Sequence, residues 1–132
     1  NGDPGKAGRS LDLTLNSVAT IVGGSSAETI GIRVDNPGGS GGEGGGSDCC
    51  SGGHGGDGGV GGDVSIVGSG SITMQGPQSA GVTINSNGGS GGKGHDGTVT
   101  GAHGGNGEIG GAAGLIQLDS SGNWTISTLG TG

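Results

Sequence analysis

The sequence predicts an all-β protein: a repetitive β-solenoid of about two and a half layers with an adjoining layer of polyglycine II helices. Three observations lead to this prediction. Apolar residues alternate with polar ones in short runs, the runs recur about every 51 residues, and glycine tracts with a three-residue period separate them. A repeat of this length indicates stacked, equivalent layers, each burying its apolar face against the next.

The repeat is defined by apolar positions that align between segments. Leu13 aligns with Val64, and Val64 aligns with Ile116, at spacings of 51 and 52 residues. The other alignments that we make are Ile21 with Ile72 and Trp124, and Ile32 with Val82. They predict one repeat domain over residues 1–132, with layers at about 1–50, 51–101 and, in part, 102–132.

The strands follow from apolar residues at every second position. Clusters rich in glycine, serine and asparagine separate the runs and predict turns, as in VGGSSAE (22–28) and QGPQS (75–79). No run has a helical period, so we expect essentially no α-helix. The predicted strands lie at 11–15, 30–34, 64–66, 72–74, 80–84, 116–118 and 124–126.

The glycine tracts carry a non-glycine residue at every third position. In GGHGGDGGVGGD (52–63), His54, Asp57 and Val60 are spaced in this way. Three residues per turn is the period of the polyproline II helix, which makes no internal hydrogen bonds. Its backbone groups must therefore bond to neighbouring helices, and glycine allows the close approach that this requires. Paired tracts predict antiparallel hairpins with tips at 47–51 and 95–102.

Composition narrows the class of protein. The chain has 41 glycines but only 3 prolines and no strict Gly-X-Y period, which excludes collagen. Its net charge is −7, and Trp124 is the one aromatic residue, so we expect no nucleic-acid binding. No apolar stretch approaches the roughly 20 residues that span a bilayer. We therefore expect no membrane insertion, and the chain shows no signal peptide.

The residues resemble a known family. The segment 52–94 is similar to the glycine-rich repeat of bacterial autotransporter passengers and related large surface exoproteins. The similar elements are VSI (64–66), GSITM (70–74) and SAGV (79–82), which follow glycine triplets as in that repeat. Residues 83–85 and 33–35 depart from its usual Ala-Gln-Ser stretch. The resemblance implies an extracellular, surface-displayed structural or adhesive segment and identifies no ligand.

Candidate metal ligands are few and scattered. His54, Asp57, Asp96 and His103 are residue types that bind transition metals, but their spacing matches no site pattern. Two segments, 52–60 and 91–99, approach a calcium-binding nonapeptide without its large apolar residue, which Gly59 and Thr98 replace. We expect no cofactor, and calcium is the ion that this similarity leaves open. The adjacent Cys49 and Cys50 do not define a redox compartment.

The sequence favours a structural function over a catalytic one. No nucleophile elbow, nucleotide loop or catalytic constellation is recognisable, so we predict that the protein is not an enzyme. We expect an extracellular structural protein that self-associates through open solenoid ends into a surface structure or filament. An adhesin-like module that recognises a glycan or surface ligand is the second hypothesis. Ice binding is the third, because springtail antifreeze proteins have similar glycine triplets.

Overall fold

The structure is a computed structural model that describes residues 1–46, 51–97, 103–119 and 123–129. Within these ranges the regular elements are strands and no helix occurs, which confirms the all-β prediction. The strands are β1 (Leu11–Gly23), β2 (Ile30–Asp35), β3 (Val64–Met74), β4 (Ala80–Asn85), β5 (Ile116–Asp119) and β6 (Trp124–Thr128).

The strands form two parallel sheets. In the larger sheet, β3 lies between β1 on one side and β5 and β6 on the other. The smaller sheet contains β2 and β4. β1 and β3 are longer than predicted, because β1 continues past residue 15 to Gly23 and β3 joins the strands predicted at 64–66 and 72–74. The corresponding segment near the C-terminal end of the described residues remains divided into β5 and β6, and both pair with β3.

The strand register confirms part of the repeat alignment. Val64 pairs with Ile116, Ile21 with Ile72, and Ile32 with Val82, as the sequence predicted.

Two other alignments were wrong. Leu13 pairs with Ile66 rather than with Val64. Ile72 pairs with Ile126, whereas Trp124 pairs with Gly70. Both errors arise where one strand or turn carries extra residues relative to its neighbour.

The irregularity between β1 and β3 lies next to two glycines of β3. The register shifts between Leu15 and Ala19, whose partners are Gly68 and Gly70, so β1 has two more residues here than β3. Gly68 has a φ of 138°, a conformation that other L-residues rarely adopt. A Cβ on Gly68 or Gly70 would also overlap the carbonyl oxygen of the paired residue in β1. Glycine at these positions therefore permits the close approach of the two strands.

The hydrophobic core is centred on β3, the strand with neighbours on both sides. Val64, Ile66, Ile72 and Met74 are buried, with exposed fractions of 0 to 1%. Val34 of β2 completes the buried set. Partly buried residues pack against Val34, Val64 and Ile66, namely Leu13, Leu15, Ile32, Val82, Ile84 and Trp124. Burial of one large aliphatic side chain stabilises the fold by about 1.5–3 kcal/mol.

The chain divides into two compact units that interleave along the sequence. The strand unit contains Leu11–Asp35, Val64–Asn85 and Ile116–Gly132. The glycine unit contains Asn1–Ser10, Asn36–Asp63 and Ser86–Leu115. Each pass of the chain thus contributes one segment to each unit, and the prediction of a single repeat domain stays a prediction.

Candidate functional site

The strand unit ends in an edge that is only partly covered. Ile66 and Leu118 are register partners, yet Ile66 is fully buried and Leu118 is 49% exposed. Ile72 and Ile126 show the same contrast, with Ile126 46% exposed. Each pair occupies one column of register partners, but only the β3 member has a further strand beyond it. The β5–β6 side is therefore an apolar edge with unpaired strand backbone.

The glycine unit is built from five tracts that bond to one another through their backbones. We name them tract 1 (1–10), tract 2 (36–46), tract 3 (51–63), tract 4 (86–97) and tract 5 (103–115). Tract 1 donates to tract 3, with Gly5 N–H bonded to the carbonyl of Asp57 at 2.7 Å. Tract 3 donates to tract 5 in the same way, with Gly58 N–H bonded to Ile109 at 2.9 Å.

These bonds recur at every third residue. From tract 1 to tract 3 the donors are Gly2, Gly5 and Gly8, and from tract 3 to tract 5 they are Gly52, Gly55, Gly58 and Gly61. Tract 2 donates to tract 4 through Gly38, Gly41 and Gly44. Donor and acceptor numbers rise together in all three cases, so these tracts run parallel.

A second set of bonds joins tracts that run antiparallel. Tract 3 donates to tract 2, from Gly53 N–H to Gly45 at one end and from Gly62 N–H to Asn36 at the other. Tract 5 donates to tract 4, from Gly105 to His95 and from Gly111 to Gly89. Because each of these tracts bonds to two or more others, their backbone groups are satisfied laterally rather than within a tract.

Burial follows the same three-residue period. In tract 3, His54, Asp57 and Val60 are exposed, whereas most glycines between them are buried. A Cβ on Gly55 or Gly58 would overlap a backbone carbonyl oxygen of tract 4. Glycine is therefore required at these positions by the distance between backbones.

Glu108 interrupts the glycine pattern of tract 5. Its N–H donates to Gly92 at 3.1 Å, the same type of bond that Gly105, Gly111 and Gly114 make to tract 4. A shallow depression lies beside it, lined by Asn1, Pro4, Asp57 and Glu108 among others. Sequence reasoning missed this position, although the break in the glycine period at GNGEIGG (105–111) is a visible signal.

The candidate metal ligands are dispersed in the described part of the chain. His54 Nδ1 accepts a hydrogen bond from the backbone N–H of Asn106 at 3.0 Å, so this nitrogen is already used within the protein. Asp96 lies against Gly104, next to His103 in sequence. Over the described ranges, no group of three or more His, Cys, Asp or Glu residues could hold a metal ion. The metal and calcium assignments stay predictions.

Two further candidates fall in part outside the described residues. Cys49 and Cys50 lie in the gap at 47–50, and the segment 91–99 enters the gap at 98–102. The hairpin tips predicted at 47–51 and 95–102 fall largely in the same gaps.

An ion pair lies in the described part of the strand unit. Arg33 Nε donates to Asp35 Oδ2 at 2.7 Å, and both side chains are largely exposed. This hydrogen bond holds the pKa of Asp35 below its ordinary value against the opposing effect of burial, with smaller contributions from the positive charge of Arg33 and a hydrogen bond from Asn85. Exposed pairs of this kind contribute little to stability.

Comparisons with known proteins give no family. No protein-family model matches the chain, and no curated protein matches it significantly. In the described residues, no helix has the length and apolar character needed to cross a membrane. Among solved structures the chain is similar to the nine-helix polyproline type II bundle antifreeze protein of the springtail Granisotoma rainieri. That similarity is 23% identity over 85% of this chain and 94% of that chain, with a TM-score of 0.19, too low to establish a common fold.

Proposed function

We propose that this protein is an extracellular structural repeat: a β-solenoid with an adjoining polyglycine II layer that stacks into a surface structure or filament. Extracellular display follows from the resemblance of residues 52–94 to autotransporter passenger repeats. The strands and the glycine tracts each support the structural role. One observation, the unequal burial of equivalent residues in neighbouring layers, carries it.

Support for the solenoid comes from the parallel register. Ile21, Ile72 and Ile126 form one column, and the chain advances by 51 and then 54 residues between them. Ile32 and Val82 repeat the pattern in the second sheet at a spacing of 50. Strands that return in parallel after one repeat stack at about 4.8 Å per layer.

Support for polyglycine II comes from the hydrogen bonds of the glycine unit. An isolated polyproline II helix has three residues per turn and leaves its backbone groups unsatisfied. Bonds at every third residue, made to parallel and antiparallel neighbours over 2.7–3.1 Å, are what packed helices of this type require. A flexible linker would have no such register.

The stacking role rests on the difference in side-chain burial between the second and third layers. Ile66 and Ile72 are fully buried, whereas their partners Leu118 and Ile126 are about half exposed. A further layer on the β5–β6 side would bury these side chains and pair the strand backbone. An exposed apolar edge of this kind is a template for another chain. We therefore assign the edge to self-association.

The proposal is tested by electron microscopy and sedimentation velocity on the purified chain over a range of concentrations. We expect fibres whose size grows with concentration, with a fibre-diffraction spacing of about 4.8 Å. Leu118→Lys should prevent assembly, because a further layer would enclose the new charge. Gln117→Lys adds the same charge at the neighbouring exposed position and should assemble nearly as the parent does. A parent that stays monomeric at every concentration and ionic strength would overturn the proposal.

The two binding hypotheses stay predictions. Outward positions of the glycine unit include acidic, basic and apolar residues, such as Asp57, Lys93 and Val60. A monomer that binds a glycan array would favour the adhesin hypothesis, and a monomer that slows ice growth would favour the antifreeze hypothesis.

A further inference from the structure

Tract 5 carries a row of backbone donors along its outer side. In tract 3, Gly56 and Gly59 donate to tract 2. The residues just before them, Gly55 and Gly58, donate to the parallel tract 5. The residues in the same place in tract 5 are Gly104, Gly107, Gly110 and Ala113. Their N–H groups have no hydrogen-bond partner among the described residues, and all four residues are exposed.

Tract 4 carries a matching row. In tract 2, Gly38, Gly41 and Gly44 donate to tract 4. The equivalent residues of tract 4 are Gly88, Gly91 and Gly94, whose N–H groups likewise bond to nothing in the described ranges. The last tract of each parallel series therefore presents donors.

The first tracts of the two series present acceptors instead. In tract 3, the carbonyls of His54, Asp57 and Val60 accept from tract 1. The residues equivalent to these acceptors are Asn1, Pro4 and Ala7 in tract 1, and Pro37, Ser40 and Glu43 in tract 2. The carbonyls of these six residues accept no backbone hydrogen bond from any described residue.

Proline at two of these positions fits an acceptor role. Pro4 and Pro37 have no N–H to donate, but the acceptor place needs only a carbonyl. Within tract 3, the N–H groups at this place, such as that of Asp57, have no described backbone partner either. Proline therefore costs no hydrogen bond here and fixes the φ that a polyproline II helix uses.

From these rows we infer that the glycine unit is polar: it binds a second copy of this chain head to tail, the donors of tract 5 pairing with the carbonyls of tract 1 in the second copy. This inference rests on the proposed function and adds the interface and its direction. Two donor edges cannot bond to each other, so a symmetric face-to-face dimer gains none of these hydrogen bonds. A heterologous contact leaves one edge open at each end, and it propagates into a fibre.

The donor edge of tract 5 has room for the backbone of a second copy. A Cβ on Gly107 would lie 3.5 Å from the carbonyl oxygen of Gly92, and one on Gly110 would lie 3.3 Å from that of Gly89. Within one copy, these positions thus tolerate or nearly tolerate a side chain, unlike Gly55 and Gly58. Glycine there leaves space for the backbone of the second copy.

Charge sets the conditions for this association. Each copy has a net charge of −7, so copies repel at low ionic strength. Salt screens this repulsion beyond about 10 Å at 0.1 M while leaving short backbone hydrogen bonds in place. Assembly should therefore strengthen as salt is added.

The test removes donors without changing any bond within the chain. In Gly107→Pro/Gly110→Pro, both N–H groups are lost and the backbone keeps a φ that polyproline II accepts. We expect the concentration needed for assembly to rise roughly tenfold or more, since two hydrogen bonds are lost from each contact. Ala7→Pro/Ser40→Pro is the matched control, because it adds two prolines on the acceptor edge, where only carbonyls are used. It should assemble as the parent does.

A mixing experiment shows that the donor-edge variant is folded. Its acceptor edge is intact, so it should add to the donor end of growing parent fibres and then stop them. We expect substoichiometric variant to shorten parent fibres, which an unfolded chain would not do.

The outcomes separate the inference from the proposed function. Assembly by the parent and by both double variants at the same concentration would overturn the inference and leave self-association through the strand edge standing. Loss of assembly in the Ala7→Pro/Ser40→Pro control would overturn the assigned direction. A parent that does not assemble overturns both.

Discussion

Gly58 donates its backbone N–H to the carbonyl oxygen of Ile109 at 2.9 Å. The bond joins two parallel glycine tracts, and it forms beside a third tract whose Gly89 carbonyl occupies the space that a side chain on Gly58 would need. A single glycine thus satisfies two demands at once, a donor for one neighbour and an empty volume for another.

Gly58→Ala should therefore destabilise the protein. The added methyl group forces tracts 3 and 4 apart and leaves backbone groups without partners, at about 1–3 kcal/mol for each buried group. Gly107→Ala makes the same chemical change where the Cβ has 3.5 Å of room. It should be neutral or stabilise by up to about 1 kcal/mol, because alanine restricts the unfolded chain. Urea denaturation measures both, and equal free energies of unfolding would contradict the packing.

Ile72→Ala should lower the free energy of unfolding by about 2–5 kcal/mol, since it leaves a cavity between Ile21 and Ile126. The matched control is Ile126→Ala in the same column. Ile126 is 46% exposed whereas Ile72 is fully buried, so the control should cost clearly less. Thermal melts followed by circular dichroism provide the comparison. Similar losses in both variants would show that the two positions are equally enclosed, as in a stack that has already assembled.

Gln78→Gly should stabilise the turn between β3 and β4. Gln78 has a φ of 55°, a left-handed conformation that costs a residue with a Cβ roughly 1–2 kcal/mol. Glycine removes this cost but gains freedom in the unfolded chain, so the net gain is about 0.5–1 kcal/mol. Gln75→Gly, three residues earlier and without a positive φ, should instead destabilise. A lower melting temperature for Gln78→Gly than for the parent would contradict the strain.

Asp35→Asn should reduce stability slightly near neutral pH and not at acid pH. The pKa of Asp35 is lowered in the folded state, chiefly by its hydrogen bond with Arg33. The ionised carboxylate therefore adds stability above the unfolded pKa, and that stability is lost as the pH falls through the folded pKa. The difference in melting temperature between parent and variant, measured from pH 7 downward, should shrink below about pH 4. A difference that grows with acidity would contradict this sign.

The strand positions could be predicted from the sequence because the two faces of a half-buried strand alternate between apolar and polar residues. Residues such as Val64 and Ile66 alternate with polar neighbours, and the structure places them on the buried face of β3. The all-β class could be predicted because apolar residues recur at every second position and not with the period of a helix. The column of Ile21 and Ile72 was found by counting residues between equivalent apolar positions.

The register beside Leu15 could not be found by counting. β1 accommodates two extra residues before Ala19, and the best apolar match in the sequence, Leu13 with Val64, skips that irregularity. Trp124 was misaligned for a related reason, because it is the larger apolar residue and Ile126 is the true partner of Ile72. Side-chain size identifies a core position but not its register.

The donor and acceptor rows of the glycine unit could not be predicted from the sequence pattern either. Glycine at 55 and glycine at 107 look alike in the sequence, yet one is enclosed by tract 4 and the other lies on an outer side. What distinguishes them is the number of neighbouring tracts, which depends on how the layers pair. Proline at 4 and 37 is the one local signal that marks the acceptor side.

The spacing of bonded partners sets the order in which the glycine unit can fold. Gly53 and Gly45 are 8 residues apart and Gly62 and Asn36 are 26 apart, whereas partners in parallel tracts, such as Gly55 and Asn106, are separated by 51. Loop closure costs about 0.6 kcal/mol more for each doubling of length, so an antiparallel hairpin can close before any parallel tracts have paired. Pairing between parallel tracts then requires contacts across a whole repeat, and chains dominated by such distant contacts fold in milliseconds to seconds. Until that step is complete, a newly made chain exposes single hairpins whose outer backbone groups have not yet found their partners.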